Sequence, residues 1–190
     1  MNIILASQSP RRLFLLEAAG FVIDVQPSFI DETPLLNEPA LSTTQRLCQE
    51  KAKACEVVDE VMPIIAADTL VAIGDEALGQ PIDLVEAKQM IQKLSGKQHQ
   101  VHTTVCVRLG EIYQSKTVTT TVSFRAITDA EIEVYVKHND ILDKAGAYAI
   151  QGGASGFITG IKGSLDNVIG LPVATTIALI AAVKHEVLSK

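Results

Sequence analysis

Hydrophobic positions come in short runs that change period along the chain, and each change marks an element boundary. Ile3-Ile4-Leu5 opens a buried strand over residues 3–7. Ser9 suits a helix N-cap, Pro10 the first helical position and Gly20 the stop, with Leu16 on the inward face. A second strand covers residues 21–26, and the proline-punctuated, acidic "PSFIDETPLLNEPA" reads as loop. Ser42 and Gln45 form a capping box for a helix running to about Glu60. "PIIAADTLVAIG" is a strand broken by a polar pair, and Asp83 and Glu86 cap a helix ending near Ser95-Gly96. Residues 99–109 and 112–124 form a strand pair about Leu109-Gly110-Glu111; in the second, "KTVTTTVSF" alternates as a half-exposed strand does. Thr128 and Glu131 frame a helix to about Asn139. The glycine-rich "DKAGAYAIQGGASGFITGIKGS" holds short strands at most, and a helix from about Pro172 to Leu188 closes the chain. Irregular alternation of helices and strands with one adjacent strand pair specifies an α/β fold on a mixed sheet.

Composition narrows the class. A chain of 190 residues, 47% hydrophobic, fits one domain over residues 1–190. The net charge of −6, with no basic stripe, argues against a nucleic-acid polymer as partner. Cys48, Cys55 and Cys106 fit no zinc spacing and read as reduced core thiols of a cytoplasmic protein. No signal segment is seen, and the apolar C-terminal run is too short for a bilayer, so no membrane association is expected.

The chemistry begins at "ASQSPRRLFLLEAAG". Arg11 and Arg12 stand at a helix N-terminus, where the macrodipole disfavours cations. The placement is poor unless an anion sits there: Ser7, Ser9, free N–H groups and two guanidiniums make a phosphate site. The competing reading is an ordinary capped helix with solvated arginines. Asp68 interrupts an apolar strand at "AADT"; a buried carboxylate needs a cation or donor, as a metal ligand, a general base or a structural ion-pair partner. Asp31 and Glu32 in the loop could help hold Mg²⁺, or be simply solvated. Lys51 and Lys53 are two apart on one helix, so only one reaches a shared site. Gln151 carries a donor and an acceptor on its amide, suited to a base edge. His99 and His102, three apart on a strand, face opposite sides and read as structural.

Together "LASQSPRRLFLL", "KA" after Glu50, "AADTLV", "LSGKQHQVHT", "DKAGAYAIQG" and "GSLDNVIGLP" resemble the Maf family of nucleoside triphosphate pyrophosphatases, in that family's order and over nearly the whole chain. The resemblance implies an α/β fold related to inosine triphosphate pyrophosphatases, with a twisted mixed sheet, flanking helices and two lobes about a central cleft. It implies hydrolysis of a nucleoside triphosphate to the monophosphate and pyrophosphate with Mg²⁺ or Mn²⁺, serving removal of modified nucleotides or restraint of septum formation. It carries Asp68 over as the catalytic carboxylate and places Ser7, Arg12, Glu32 and Lys51 on the cleft, with Asp68 and Glu32 as the metal carboxylates. Arg11, Thr69 and Gln151 match positions tied to base choice and resemble the subgroup acting on dTTP and UTP. A homodimer is a further family expectation. One position departs: where the family carries an active-site lysine before a proline, this chain has Gln80-Pro81. That leaves a slow pyrophosphatase and a nucleotide-binding regulator with little turnover as competing expectations, beside a purine-selective pyrophosphatase. The slow pyrophosphatase is the expectation unless Lys53 or Lys97 reaches into the space left at position 80.

Overall fold

The computed structural model describes residues 1–36, 38–56, 61–74 and 76–189. Its elements run β1 (Asn2–Leu5), α1 (Pro10–Ala18), β2 (Val22–Val25), α2 (Ala40–Ala54), β3 (Ile64–Ile73), β4 (Glu76–Leu78), α3 (Leu84–Leu94), β5 (Gln98–Leu109), β6 (Ile112–Phe124), α4 (Asp129–His138), β7 (Ile158–Lys162), α5 (Leu165–Ile169) and α6 (Val173–Leu188). Two 3-10 turns, Ala145–Ala147 and Gly153–Phe157, lie between α4 and β7. The strands form one mixed sheet in the order β2-β1-β3-β5-β6-β7, with β4 beside β3. β1 is parallel to β2 and β3, and the remaining pairs are antiparallel.

Most expected elements are present, because their local signals agree with their burial. Asp83 accepts from the Glu86 N–H and Thr128 forms a complete capping box with Glu131. The β5–β6 hairpin turns between Leu109 and Ile112, as the alternation requires.

Four readings need correction. The Ser42–Gln45 capping box does not form: α2 starts at Ala40 behind Pro39, whose carbonyl takes the Thr43 N–H and hydroxyl. That start adds hydrogen-bonded turn ahead of Ser42, and each added bond favours the longer helix. α2 ends at Ala54, with Cys55 extended; residues 57–60 of the expected span lie outside the described residues. β3 runs unbroken through Asp68-Thr69, because both residues keep their ladder pairs with Thr104 and Thr103. β4 and α5 were not anticipated, being too short for a periodic signal.

Alternation along the strands sorts the core by face. Ile4, Ile64, Ala66 and Cys106 pack under Cys48 and Ala52 of α2. On the other face two clusters lie side by side. One joins Ile65, Ala67, Val105 and Val107 to Leu16 of α1 and to Leu179, Ile180 and Val183 of α6. The second joins Val71, Val101 and Val122 to α3, α4 and the 3-10 turns. Between them runs a polar belt, Thr69, Thr103, Thr120 and Asn167. Thr103 bonds Thr69 and the Asn167 carbonyl, and Asn167 reaches Val101 O and Thr120 Oγ1. The belt divides that face into two lobes.

Candidate active site

The sheet is notched at the belt. β3 pairs with β1 at Ile64 and Ile65 and with β4 from Val71, so among the described residues no strand lies beside residues 66–70 on that edge. β1 connects onward to β2 on one side of it, while β3 connects onward to β4 and β5 on the other, and ligands in open α/β sheets gather beyond strand C-termini where connections diverge in this way. A cleft of about 910 Å³ occupies the notch, lined among others by Ser7, Arg11, Arg12, Glu32, Lys51, Asp68, Thr69, Gln80 and Gln151. These nine expected site residues lie on one cleft, while Asp31, Lys53 and Lys97 do not line it.

Arg12 folds back over the start of α1. Its Nη1 donates to Ser7 Oγ at 3.0 Å, Nη2 to Thr69 Oγ1 at 3.3 Å and Nε to the Gly170 carbonyl at 2.9 Å. All three acceptors are neutral, and among the described residues no carboxylate pairs with this part-buried guanidinium. Burial lowers its pKa, and Asp68 works in the opposite direction. A cation taken from water and given only neutral partners is incompletely compensated, and an anionic ligand would complete it. Ser7 Oγ also accepts the Ser9 N–H, and Ser9 holds the N-cap position of α1 without a side-chain cap hydrogen bond.

Asp68 is 5% exposed in mid-strand. Lys51 Nζ donates to Asp68 Oδ1 at 2.8 Å and to Glu32 Oε2 at 2.7 Å, holding two carboxylates from one ammonium. Asp68 Oδ2 is buried with no partner. An orphaned carboxylate oxygen beside a second carboxylate fits a hard divalent cation. Among the described residues no group of three or more His, Cys, Asp or Glu could hold a metal. The donor set suits a cation that takes one or two protein carboxylates and its other ligands from phosphates and water. Asp31 is not on the cleft; it accepts the Thr33 N–H of its own loop.

The other candidates divide. Arg11 pairs with Asp143, Nη1 to Oδ2 at 3.0 Å. Gln80 is exposed and donates to the Asp143 carbonyl at 3.3 Å. Gln151 sits exposed at the rim. Neither Lys53 nor Lys97 lines the cleft; Lys144 and Lys93 do, on ion pairs with Asp143 and Glu76 that the sequence did not suggest. Lys53 is exposed because the helical period that buries Lys51 turns it away. His99 bonds the Tyr148 hydroxyl and His102 bonds Thr119 Oγ1, as structural histidines do. The three cysteines are free and buried. The Gly170 carbonyl was also missed: its residue holds φ +129°, a left-handed value that favours glycine and is not visible in a residue pattern.

A mixed α/β sheet carries a cationic seat and a carboxylate pair at its switch point, an arrangement of the class that suits anionic, phosphorylated ligands. Sequence comparison names the particular kind: the chain belongs to the Maf-like protein family, matched over residues 2–183. It is similar to the dTTP/UTP pyrophosphatase of Anaeromyxobacter dehalogenans (strain 2CP-C), with 46% identity over 184 residues, 94% of this chain and 92% of that one. The dTTP/UTP pyrophosphatase of Chromobacterium violaceum is 42% identical over 95% of this chain and 93% of its own. That of Bacillus pumilus (strain SAFR-032) is 41% identical over 94% and 95%. Among solved structures, the Staphylococcus aureus Ham1 protein aligns at a TM-score of 0.44 and 16% identity over 68% of this chain and 73% of that one, a likeness too slight to bear on the fold or on activity. No helix among the described residues is long and apolar enough to cross a membrane.

Proposed function

We propose that the protein hydrolyses dTTP and UTP to the nucleoside monophosphate and pyrophosphate. The observation that carries this reading is the pairing, in one cleft, of a part-buried arginine bonded only to neutral oxygens with a carboxylate whose inner oxygen is unpartnered. The names of the relatives supply the substrates. Water attacks the α-phosphorus, its proton passes to Asp68, and the bond to the departing pyrophosphate breaks. Lys51 holds Asp68 by Oδ1 and so leaves Oδ2 for that proton or for a cation. Mg²⁺ or Mn²⁺ on Asp68 and Glu32 would supply positive charge against the phosphate oxygens. Arg12 and Lys51 stabilise charge developing there, in a geometry already set before the ligand arrives.

Base choice falls to Arg11, Thr69 and Gln151. Uracil and thymine offer an O4 acceptor beside an N3–H donor, which one amide matches; cytosine reverses the pattern. A mismatched pair costs about 1–3 kcal/mol, roughly tenfold to over a hundredfold in rate. A panel of triphosphates, read by pyrophosphate release, should show UTP and dTTP ahead of CTP by that factor. Equal kcat/KM for UTP and CTP removes the assignment of Gln151, and a purine ahead of both removes the pyrimidine reading. The second reading, a nucleotide-binding regulator, is favoured by Gln80, which brings a neutral amide to the cleft where a cation would otherwise stand; tight dTTP binding without pyrophosphate release establishes it.

A further inference from the structure

Three segments of the cleft lining meet at Asp143. Its Oδ2 accepts from Arg11 Nη1 at 3.0 Å, and its carbonyl accepts from Arg11 Nη2 at 3.4 Å and from Gln80 Nε2 at 3.3 Å. Its Oδ1 takes the Lys144 ammonium. Arg11 comes from α1, Gln80 from the segment before α3, and the Asp143–Lys144 pair from the segment leading to the first 3-10 turn, 132 residues along the chain from Arg11. All four line the cleft that holds Asp68.

The mount under Asp143 is firm. Gly146 donates its N–H to the Gly79 carbonyl at 2.9 Å. Gly146 holds φ +67°, and a Cβ there would lie 2.9 Å from Val71 Cγ2, so the backbone is pressed onto β3 just beyond Asp68. Lys144 holds one carboxylate oxygen while Arg11 holds the other, which removes free rotation of the carboxylate. Held at two points, a planar guanidinium has its remaining N–H groups fixed in direction.

We propose that Asp143 is a positioning residue: it fixes Arg11 across the cleft mouth so that the guanidinium N–H groups left free meet the nucleotide. The proposal rests on the pyrophosphatase reading and extends it to a residue that touches no reacting atom. Arg11 and Asp143 act as one unit, so their losses do not add.

The test is a double-mutant cycle with Mg²⁺ and dTTP on the full chain, comparing Asp143→Asn, Arg11→Met and the double variant, with Asp143→Glu as the conservative rescue. Asp143→Asn should lower kcat/KM about tenfold to a hundredfold, the effect of one charge-assisted hydrogen bond. Asp143→Glu should recover part of that, and the double variant should be no slower than Arg11→Met alone. The melting temperature should stay within about 2 °C of wild type, because a half-exposed pair adds little to stability. Additive losses overturn the proposal. So does a lower KM with undiminished kcat in Asp143→Asn, which would mean the carboxylate only repels substrate, or a loss of activity that merely follows loss of folded protein. If the wild type binds dTTP without releasing pyrophosphate, the pyrophosphatase reading alone fails, and the same cycle read in Kd decides the role of Asp143. A wild type that neither binds nor cleaves dTTP overturns both.

Discussion

Arg46 and Arg12 carry the same guanidinium into opposite surroundings. Arg46, on the outer side of α2, grips Glu38 by Nε and Nη2 at 2.8 and 2.7 Å and adds Glu50 at 3.2 Å. The hydrogen bonds that Arg46 donates to Glu38 chiefly raise its pKa, and Glu38 is drawn down to about 2. Arg12 has three protein partners, every one neutral, and burial moves its pKa the other way. An arginine whose charge is answered by the protein serves the fold. One held in place by neutral acceptors, with no carboxylate paired to it among the described residues, serves a ligand, because its geometry is set while its charge remains available. Asp68 shows the same division within one side chain: Oδ1 is answered by Lys51 and Oδ2 by nothing.

The largest test of that contrast is Asp68→Asn. Removing the carboxylate while keeping its shape should lower kcat for pyrophosphate release from dTTP about a thousandfold, within the range of a lost general base. Turnover near wild type would make Asp68 a structural ion-pair partner like Glu38. Next come the two arginines themselves. Arg12→Met should lower kcat/KM about a hundredfold while leaving the melting temperature unchanged or higher, since a cation without a paired carboxylate leaves the interior. Arg46→Met should leave kcat/KM within about twofold and lower the melting temperature by about 2–4 °C. If both variants lose stability and activity together, the contrast fails.

Gln80→Lys moves a charge in the other direction. A cation added where a neutral amide now meets the Asp143 carbonyl should raise kcat on dTTP about tenfold, with a smaller change in KM, because charge on the phosphates is greatest in the transition state. A variant no faster than wild type would show that Lys144 and Arg11 already meet that need. The smallest effect belongs to Glu38. Its folded pKa lies below the ordinary 4.5, so its contribution to stability is present above about pH 4.5 and is lost as pH falls toward about 2. The difference in melting temperature between wild type and Glu38→Gln should therefore be full at pH 6 and shrink steadily below pH 4.5. A difference independent of pH would mean that the Arg46 grip on Glu38 is not charge-assisted.

Much of this protein was legible in its residues. Periodicity, capping pairs and Gly/Pro punctuation are local properties, so β1, α1, the β5–β6 hairpin, α4 and α6 follow from stretches read singly. The cost of burying a lone carboxylate marked Asp68, and the macrodipole marked Arg11 and Arg12, before any contact was known. Those costs are paid near the residue itself, which is why a short stretch betrays them. Partnerships between distant parts of the chain were decided by the tertiary structure alone. Arg12 meets the carbonyl of Gly170, Arg11 meets Asp143, and Lys51 rather than Lys53 reaches Asp68, because the switch in strand order opens a notch beside residues 66–70 and the helical period turns one lysine into it. Sequence patterns report what each residue requires; which distant residue meets that requirement depends on how the sheet is ordered, and only the assembled fold contains that order.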